Sequence, residues 1–265
     1  MQIGSGTRAL VTGASRGIGR AVAAALAQRG AVVGLAARST RDLQALAAEL
    51  PGAHHVLTCD VAQATSIAGA VDQFVAVAGG LDLLVANAGI AHYEPVAEQS
   101  LDRIQDMTAV NWLGTVYTVQ AALPAMLEQG SGHIVVMSSG AGLRGFPGAA
   151  VYSATKAAQG VFAEALRHEL AGTGVSLTTV YPGEIRTSLH DHERTRMPAW
   201  YRGGPAAASP ETLAKLVLKA VERDCRHLHY RRFVQGMAML HGLSPSAADR
   251  VLRRLRGETA APRRD

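Results

Sequence analysis

The chain holds only two cysteines, Cys59 and Cys225, among 265 residues. Two distant thiols make neither a disulfide framework nor a metal-binding spacing, and Cys59, inside an apolar run, reads as a small buried side chain. Aromatic residues are scarce at 5% and charged residues make up 18%, while hydrophobic ones reach 48%. That balance excludes a disordered chain and leaves ample material for a core. No apolar run reaches the roughly 18–20 residues that span a bilayer. Nor does a basic stretch followed by an apolar one open the chain, so the expected location is cytoplasmic. Excess charge is limited as well: 26 basic residues face 21 acidic ones, a net +5. Most of that excess sits in residues 223–265, where ten arginines meet four acids. A basic footprint over the whole surface is absent, and no nucleic-acid partner is expected. The basic end reads first as a solvated helix face, with a subunit contact or an anionic partner as alternatives.

Alanine and glycine are what the chain has in quantity, and small residues let helices lie close on a sheet. Short apolar runs alternate with helical patterns. Strands are expected at Arg8–Thr12, Val32–Ala36, His55–Thr58, Leu81–Ala86, His133–Ser138 and Val175–Tyr181, with a short seventh at His227–Tyr230. Helices are expected at Ile18–Gln28, from Ser39 as N-cap to Leu50, at Thr65–Ala78, over about 101–128 with a break near Asn111, at Val151–Ala171 and at 210–223. Strands without polar alternation, separated by helices, mean a parallel sheet covered on both faces. With right-handed crossovers this is the doubly wound α/β arrangement, a Rossmann fold of about seven strands. Residues 1–265 read as one domain, with 183–209 as an aperiodic loop or lid.

The first strand ends in Thr12-Gly13-Ala14-Ser15-Arg16-Gly17-Ile18-Gly19 and opens directly into a helix. Glycines let a backbone approach a pyrophosphate, and a helix N-terminus offers free N–H groups and partial positive charge. About 20 residues further on, at the end of the second strand, an NAD site offers an acid to the adenosine ribose. Here that position is Ala37, followed by Arg38, and Arg16 lies inside the glycine turn. Two guanidiniums without a carboxylate suit a 2′-phosphate, so the expected cofactor is NADP(H) rather than NAD(H).

Tyr152 and Lys156 stand four residues apart and share a helix face. A phenol is a poor acid–base catalyst at neutral pH, and an adjacent ammonium lowers its pKa. Ser139 lies 13 residues before Tyr152, at the carboxyl end of the fifth strand, where open α/β sheets place ligands. Any one of these signals is ordinary alone. Together, over about residues 7–190, they resemble the short-chain dehydrogenases/reductases, in their compact NADP(H)-preferring branch. The matching pieces are Thr12-Gly13…Gly17-Ile18-Gly19, Asp60-Val61, Asn87-Ala88-Gly89, Asn111, Ser138-Ser139, Tyr152…Lys156 and Pro182-Gly183 followed by Thr187. Their common order and spacing is the specific feature.

The resemblance implies a hydride-transferring oxidoreductase acting on a carbonyl or secondary alcohol of small-molecule type. By it, Tyr152 protonates the carbonyl oxygen, Ser139 (rather than Ser138) hydrogen-bonds that oxygen, and Lys156 lowers the Tyr152 pKa and binds the nicotinamide ribose. Asn111 is implied to hold a water between Lys156 and solvent. Asp60 and Val61 are implied to contact the adenine, Asn87, Ala88 and Gly89 to line the cofactor path, and Ile185–Thr187 to hold the carboxamide. The glycine turn (Gly13, Ser15, Arg16, Gly17, Ile18, Gly19), with Arg38, Pro182 and Gly183, completes the expected cofactor set. A homodimer or homotetramer is expected.

The match fades in the last third. Residues 231–257 form a variant extension: an apolar stretch Phe233–Leu243, then a helix near Ser246–Leu255, capped by Ser246, with an apolar stripe against Arg250, Arg253, Arg254 and Arg256. It reads first as packing on its own subunit or a dimer partner, and second as a peripheral membrane contact. The substrate pocket is expected to draw on His92, Tyr93, Leu143, Phe146, Glu184, Leu189, His190, Met197, Trp200 and Tyr201, which suits an apolar substrate of moderate size. His190-Asp191-His192-Glu193 reads as a solvated polar turn, not a metal site. Two rival readings stay open: a non-catalytic NADP(H)-sensing regulator, and an epimerase or dehydratase using bound nicotinamide transiently.

Overall fold

Alternate residues along each strand meet different helices. Ala9 and Val11 face one hydrophobic cluster and Leu10 the other, and Leu83 and Val85 are divided in the same way from Leu84 and Ala86. This period of two, with both faces apolar, is what a sheet buried on both sides requires. The computed structural model describes residues 1–193, 207–230 and 232–255.

The first half runs β1 (Arg8–Thr12), α1 (Gly17–Ala27), β2 (Val32–Ala37), α2 (Thr40–Glu49), β3 (His55–Thr58), α3 (Ala64–Ala78) and β4 (Leu83–Ala86). Then come α4 (Leu101–Met107), a π-helical turn at Thr108–Leu113, α5 (Gly114–Gln129), β5 (Gly132–Met137), α6 (Gly140–Leu143), α7 (Ala150–Glu169) and β6 (Val175–Pro182). A 3-10 turn at Ser188–Glu193 follows, and the remainder is α8 (Pro210–Glu222), β7 (His227–Tyr230), α9 (Arg232–Leu243) and α10 (Pro245–Leu255).

The seven strands lie in the order β3-β2-β1-β4-β5-β6-β7, and every pairing is parallel. Helices α1, α2 and α8 supply Val22, Leu26, Leu43, Leu46, Leu213 and Val217 to one face. Helices α3, α5 and α7 supply Ile67, Phe74, Val119, Met126 and Leu166 to the other. The strand order reverses between β1 and β4, and a cleft opens at the carboxyl ends of the strands there, as the topology dictates.

Local chemistry sets the helix starts. Ser39 Oγ accepts from Asp42 N, Ser100 Oγ from Arg103 N and Ser209 Oγ from Thr212 N, so α2, α4 and α8 each begin with a capping serine. In α10 the cap is Ser244, whose Oγ accepts from Ala247 N at 3.4 Å. This corrects the expectation of Ser246, because Pro245 takes the first helical position and moves the start back by a turn residue. The expected break near Asn111 is instead a continuous wide turn between α4 and α5.

At the opposite end of the sheet from the cleft, His133 is 1% exposed. Its Nε2 lies 2.8 Å from Thr178 Oγ1, which donates to the Cys225 carbonyl at 2.6 Å. Thr178 therefore has only its lone pairs to offer, and His133 is the donor. Burial pushes its pKa down to about 4, against a smaller upward pull from Asp224. Below about 6.5 the unfolded chain takes a proton here that the fold refuses until about 4. Stability contributed by this group is therefore complete above that window and falls with acidification, by up to about 3 kcal/mol. His133→Gln should flatten the unfolding free energy between pH 4 and 6.5; an unchanged slope in denaturant titrations across that range would contradict the assignment.

Candidate active site

The glycine turn joins β1 to α1 over the cleft. Packing leaves no choice of residue at its centre: a Cβ on Gly19 would lie 2.2 Å from the Gly13 carbonyl oxygen and 2.6 Å from Asn87 Nδ2. Helix α1 starts at Gly17 without a side-chain cap, so its first N–H groups are left for a ligand. Thr12 holds the turn against the end of β4. Its Oγ1 accepts from Asn87 N at 3.0 Å and Ala88 N at 3.2 Å, and Asn87 Nδ2 donates back to the Thr12 carbonyl at 2.9 Å.

One cleft of ≈ 500 Å³ gathers nearly all the residues singled out in the sequence. Its walls include Gly13, Ser15, Arg16, Gly17 and Ile18, then Arg38, Asp60 and Val61, then Asn87, Ala88 and Gly89. They continue with Ser139, Tyr152, Lys156, Pro182, Gly183, Ile185 and Thr187. Two expected residues stand behind the wall. Gly19 shapes the turn without reaching the cleft. Asn111 is fully buried and bonded to protein on every side.

The Asn111 side chain accepts from Ile90 N at 2.8 Å and donates to the Ile90 carbonyl at 2.9 Å and Thr155 Oγ1 at 3.1 Å. Its backbone carbonyl accepts from Thr115 Oγ1 and Gln159 Nε2, both at 2.8 Å. These groups tie α7 and the Ile90 loop to the π-helical turn. The wide turn is what brings that carbonyl within reach of Gln159, and the sequence alone gave no sign of Gln159 or Thr115 in this network.

Tyr152 and Lys156 both enter the cleft from the first turns of α7 and are 4% exposed. Lys156 Nζ lies 6.0 Å from the Tyr152 ring centroid and donates to the Met137 carbonyl at 3.0 Å. Gly89 lies close beside it: a Cβ there would sit 3.4 Å from Lys156 Nζ and 3.2 Å from Asn111 Oδ1. Burial pushes the Lys156 ammonium down to about 7. Burial also pushes the Tyr152 phenol up to about 12, with a smaller downward pull from its hydrogen bond with Ser139. The sequence reading had the lysine lowering the phenol. Among the described residues burial has the largest effect on both groups.

Ser139 Oγ accepts from Ala141 N at 3.1 Å, which leaves its proton for Tyr152 or a ligand oxygen. Ser138 turns the other way and donates to the Lys156 carbonyl at 2.7 Å, fixing α7 against β5. Arg16 and Arg38 are exposed at the β1–β2 end of the cleft and form no ion pair among the described residues. Ser39, Asp42 and Cys59 also line that end and were not anticipated there.

The expected substrate residues divide. Leu189 lines the cleft. Tyr93 is fully buried, stacked on Phe146 at 6.1 Å and edge-on to Tyr152 at 5.8 Å, so it supports the phenol from behind. His92, Leu143 and Glu184 are not on the cleft wall. The side chains of His190 and His192, together with Met197, Trp200 and Tyr201, lie outside the described residues. Glu193 corrects the reading of a solvated turn. It is 1% exposed, 2.9 Å from His92 Nδ1 and 3.4 Å from Tyr93 N, and anchors the 3-10 turn to the loop after β4. The hydrogen bond to His92 and the approach of Arg103 keep its carboxyl below the usual range although burial opposes them.

Residues 7–198 match the family model described as short chain dehydrogenase. The chain belongs to the short-chain dehydrogenase/reductase family. An uncharacterized oxidoreductase of Myxococcus xanthus is 42% identical over 193 residues, 72% of this chain and 76% of its own. The glycine betaine reductase ATRR of Emericella nidulans is 37% identical over 225 residues, 83% of this chain but only 18% of that much longer protein. Among solved structures, a Burkholderia phymatum short-chain dehydrogenase/reductase in complex with NAD superposes with TM-score 0.83 at 26% identity, covering 93% of this chain and 96% of that one. An alcohol dehydrogenase of Thermococcus sibiricus, complexed with 5-hydroxy-NADP, gives 0.73 at 29% identity over 84% and 94%. Short-chain dehydrogenases/reductases are nicotinamide-dependent oxidoreductases, and the cleft fits such a dinucleotide: a cradle with no room for a Cβ, an uncapped helix N-terminus and a buried lysine short of acceptors.

Gly19→Ala must displace the Gly13 carbonyl, and a backbone atom cannot step aside alone. The variant should keep its far-ultraviolet circular dichroism while its affinity for nicotinamide dinucleotide drops by about tenfold or more, the equivalent of one lost pyrophosphate hydrogen bond. Unaltered dinucleotide affinity in a fluorescence titration would show that the turn is not the cradle.

Proposed function

We propose that the chain is an NADP(H)-dependent carbonyl reductase or alcohol dehydrogenase, acting as one unit on a moderately sized, mainly apolar small molecule. The observation that carries this reading is the meeting of Tyr152, Ser139 and Lys156 on the wall of the cleft that the glycine turn roofs. When bound, the nicotinamide supplies a hydride to a carbonyl carbon or takes one from a carbinol carbon. Everything else falls to the chain's own groups. In reduction, Tyr152 Oη gives its proton to the carbonyl oxygen as the C=O bond becomes C–O–H. Ser139, already using a lone pair on Ala141 N, points its hydroxyl at the same oxygen and stabilises the charge that develops there.

Lys156 then faces the phenolate that Tyr152 becomes. An ammonium beside it lowers the cost of that anion, and ribose hydroxyls of the dinucleotide are the acceptors Lys156 lacks in their absence. Protonation of Lys156 and deprotonation of Tyr152 are thus coupled: each charge offsets the burial cost of the other. Oxidation of an alcohol runs the same proton path backwards. Tyr93 and Phe146, packed behind the phenol, hold the ring in place.

Choice of cofactor rests on Arg16 and Arg38. The solved relatives hold NAD in one case and an NADP derivative in another, so family likeness does not choose. Two exposed guanidiniums without ion partners among the described residues, at the end of a β2 that bears Ala37 where an acid would reach the ribose, favour the 2′-phosphate. Asp42 also lines that end of the cleft.

Oxidation of NADPH followed against ketones of graded size tests the reading as a whole. Tyr152→Phe should bind NADPH normally and lose turnover by roughly 10²–10⁴-fold, the usual worth of a positioned proton donor. Arg38→Asp should reduce kcat/KM for NADPH by roughly tenfold or more relative to NADH. Substantial turnover in the phenylalanine variant removes Tyr152 from the reaction, and an unmoved cofactor preference in the aspartate variant removes Arg38 from phosphate recognition.

A further inference from the structure

Helices α9 and α10 form a hairpin that the redox reading does not use. They pack on one another through a tight corner at Ser244-Pro245, and α9 rests on β7 and α6. One face of α10 is turned inward: Ala248 is fully buried, and Asp249 pairs with Arg144, just past α6. Its other face presents Arg250, Arg253 and Arg254, all exposed. The single acid of α10 is already consumed by Arg144, so that outward face is cationic without compensation.

Large apolar side chains are exposed on the same hairpin. Leu243, at the corner, is 86% exposed, Met239 on α9 is 59% exposed and Val251 on α10 is 37% exposed. Met239 and Leu243 are four residues apart and share one helix face. Large exposed aliphatics together with a row of guanidiniums are the composition of a helix that lies in a membrane interface: the aliphatics enter the acyl boundary and the cations meet phosphate headgroups. No helix among the described residues is long and apolar enough to cross a membrane, so a contact of this kind is peripheral.

We propose that the α9–α10 hairpin docks on an anionic lipid surface. A second copy of the chain suits this face poorly, since a two-fold contact would set arginines against arginines. A nucleic acid would leave Leu243 and Met239 facing phosphate and water. The sequence continues the cationic character with Arg256, Arg263 and Arg264 against Glu258 and Asp265. The hairpin also touches α6, which begins one residue after Ser139. The docking does not depend on the redox reading.

The test is co-sedimentation of the full chain with vesicles of phosphatidylglycerol and phosphatidylcholine in equal parts, beside vesicles of phosphatidylcholine alone. Binding is expected to the anionic vesicles only and to weaken with salt. Two variant sets separate the contributions: Arg250→Glu with Arg253→Glu and Arg254→Glu, and Met239→Asp with Leu243→Asp. Each should weaken vesicle binding by about tenfold or more with an unchanged melting temperature and NADPH oxidation unchanged on a water-soluble ketone. Failure to sediment with anionic vesicles overturns the proposal, as does binding that neither set reduces. Two further outcomes overturn it: a fall in oligomer size in the variants without vesicle binding in the parent, or equal retention by a DNA duplex that only the arginine set abolishes. Loss of ketone reduction in the parent chain, with vesicle binding intact, would sink the redox reading and leave the docking standing.

Discussion

The site depends on one unfavourable placement: a lysine buried under the cleft with a single backbone acceptor. Lys156 Nζ donates to the Met137 carbonyl, and burial holds its pKa near 7. Displacing an ammonium from 10.5 to about 7 corresponds to about 5 kcal/mol of disfavoured charge. The sign is that of a depressed base: between about 7 and 10.5 the unfolded chain holds a proton the fold has released, so the contribution of this group to stability rises with pH across that window. Tyr152, pushed up to about 12 by the same burial, is the complementary case. Burial thus disfavours the charged form of both members of the pair.

The surrounding architecture holds this placement rigid. Asn111, Thr115, Thr155 and Gln159 join the π-helical turn to α7 through bonds of 2.6–3.1 Å. Ser138 ties the same stretch of α7 to β5, and Gly89 leaves just enough room beside Lys156. On the other side Glu193 fastens the 3-10 turn Ser188–Glu193 to His92 and Tyr93, and Tyr93 backs the phenol. The glycine turn and the Tyr-Lys helix lie on different strands, so it is the sheet, through β1, β4 and β5, that brings them to one cleft.

The elements were legible because a doubly buried parallel sheet writes its strands as uninterrupted apolar runs. β1, β3 and β7 fall where the runs do, and Ser39 caps the helix it precedes. Departures came where backbone geometry overrode pattern. A π-helical turn keeps apolar residues coming and so hides as a break, and Pro245 shifted a cap from Ser246 to Ser244. The cleft lining was legible because its glycines sit at strand ends and its Tyr-x-x-x-Lys shares one helix face. What could not be read was environment. Nothing in Gln159 or Glu193 as letters tells that both are buried, and the burial that governs Tyr152 and Lys156 is set by residues far apart in the chain. The likeness to the Burkholderia and Thermococcus enzymes carries the fold across 84–93% of the chain, and leaves the cofactor's phosphate and the substrate to be decided by individual side chains.

Only three lysines, Lys156, Lys215 and Lys219, occur in the sequence, which makes the buried one directly observable. The decisive measurement is the pH titration of the Lys156 Nζ resonance by NMR on lysine-labelled protein, assigned by Lys156→Met, with and without NADPH. The account predicts a midpoint near 7 in the free protein and a clear upward displacement with NADPH bound. A midpoint close to 10.5 in the free protein, or one that NADPH leaves where it was, would contradict it.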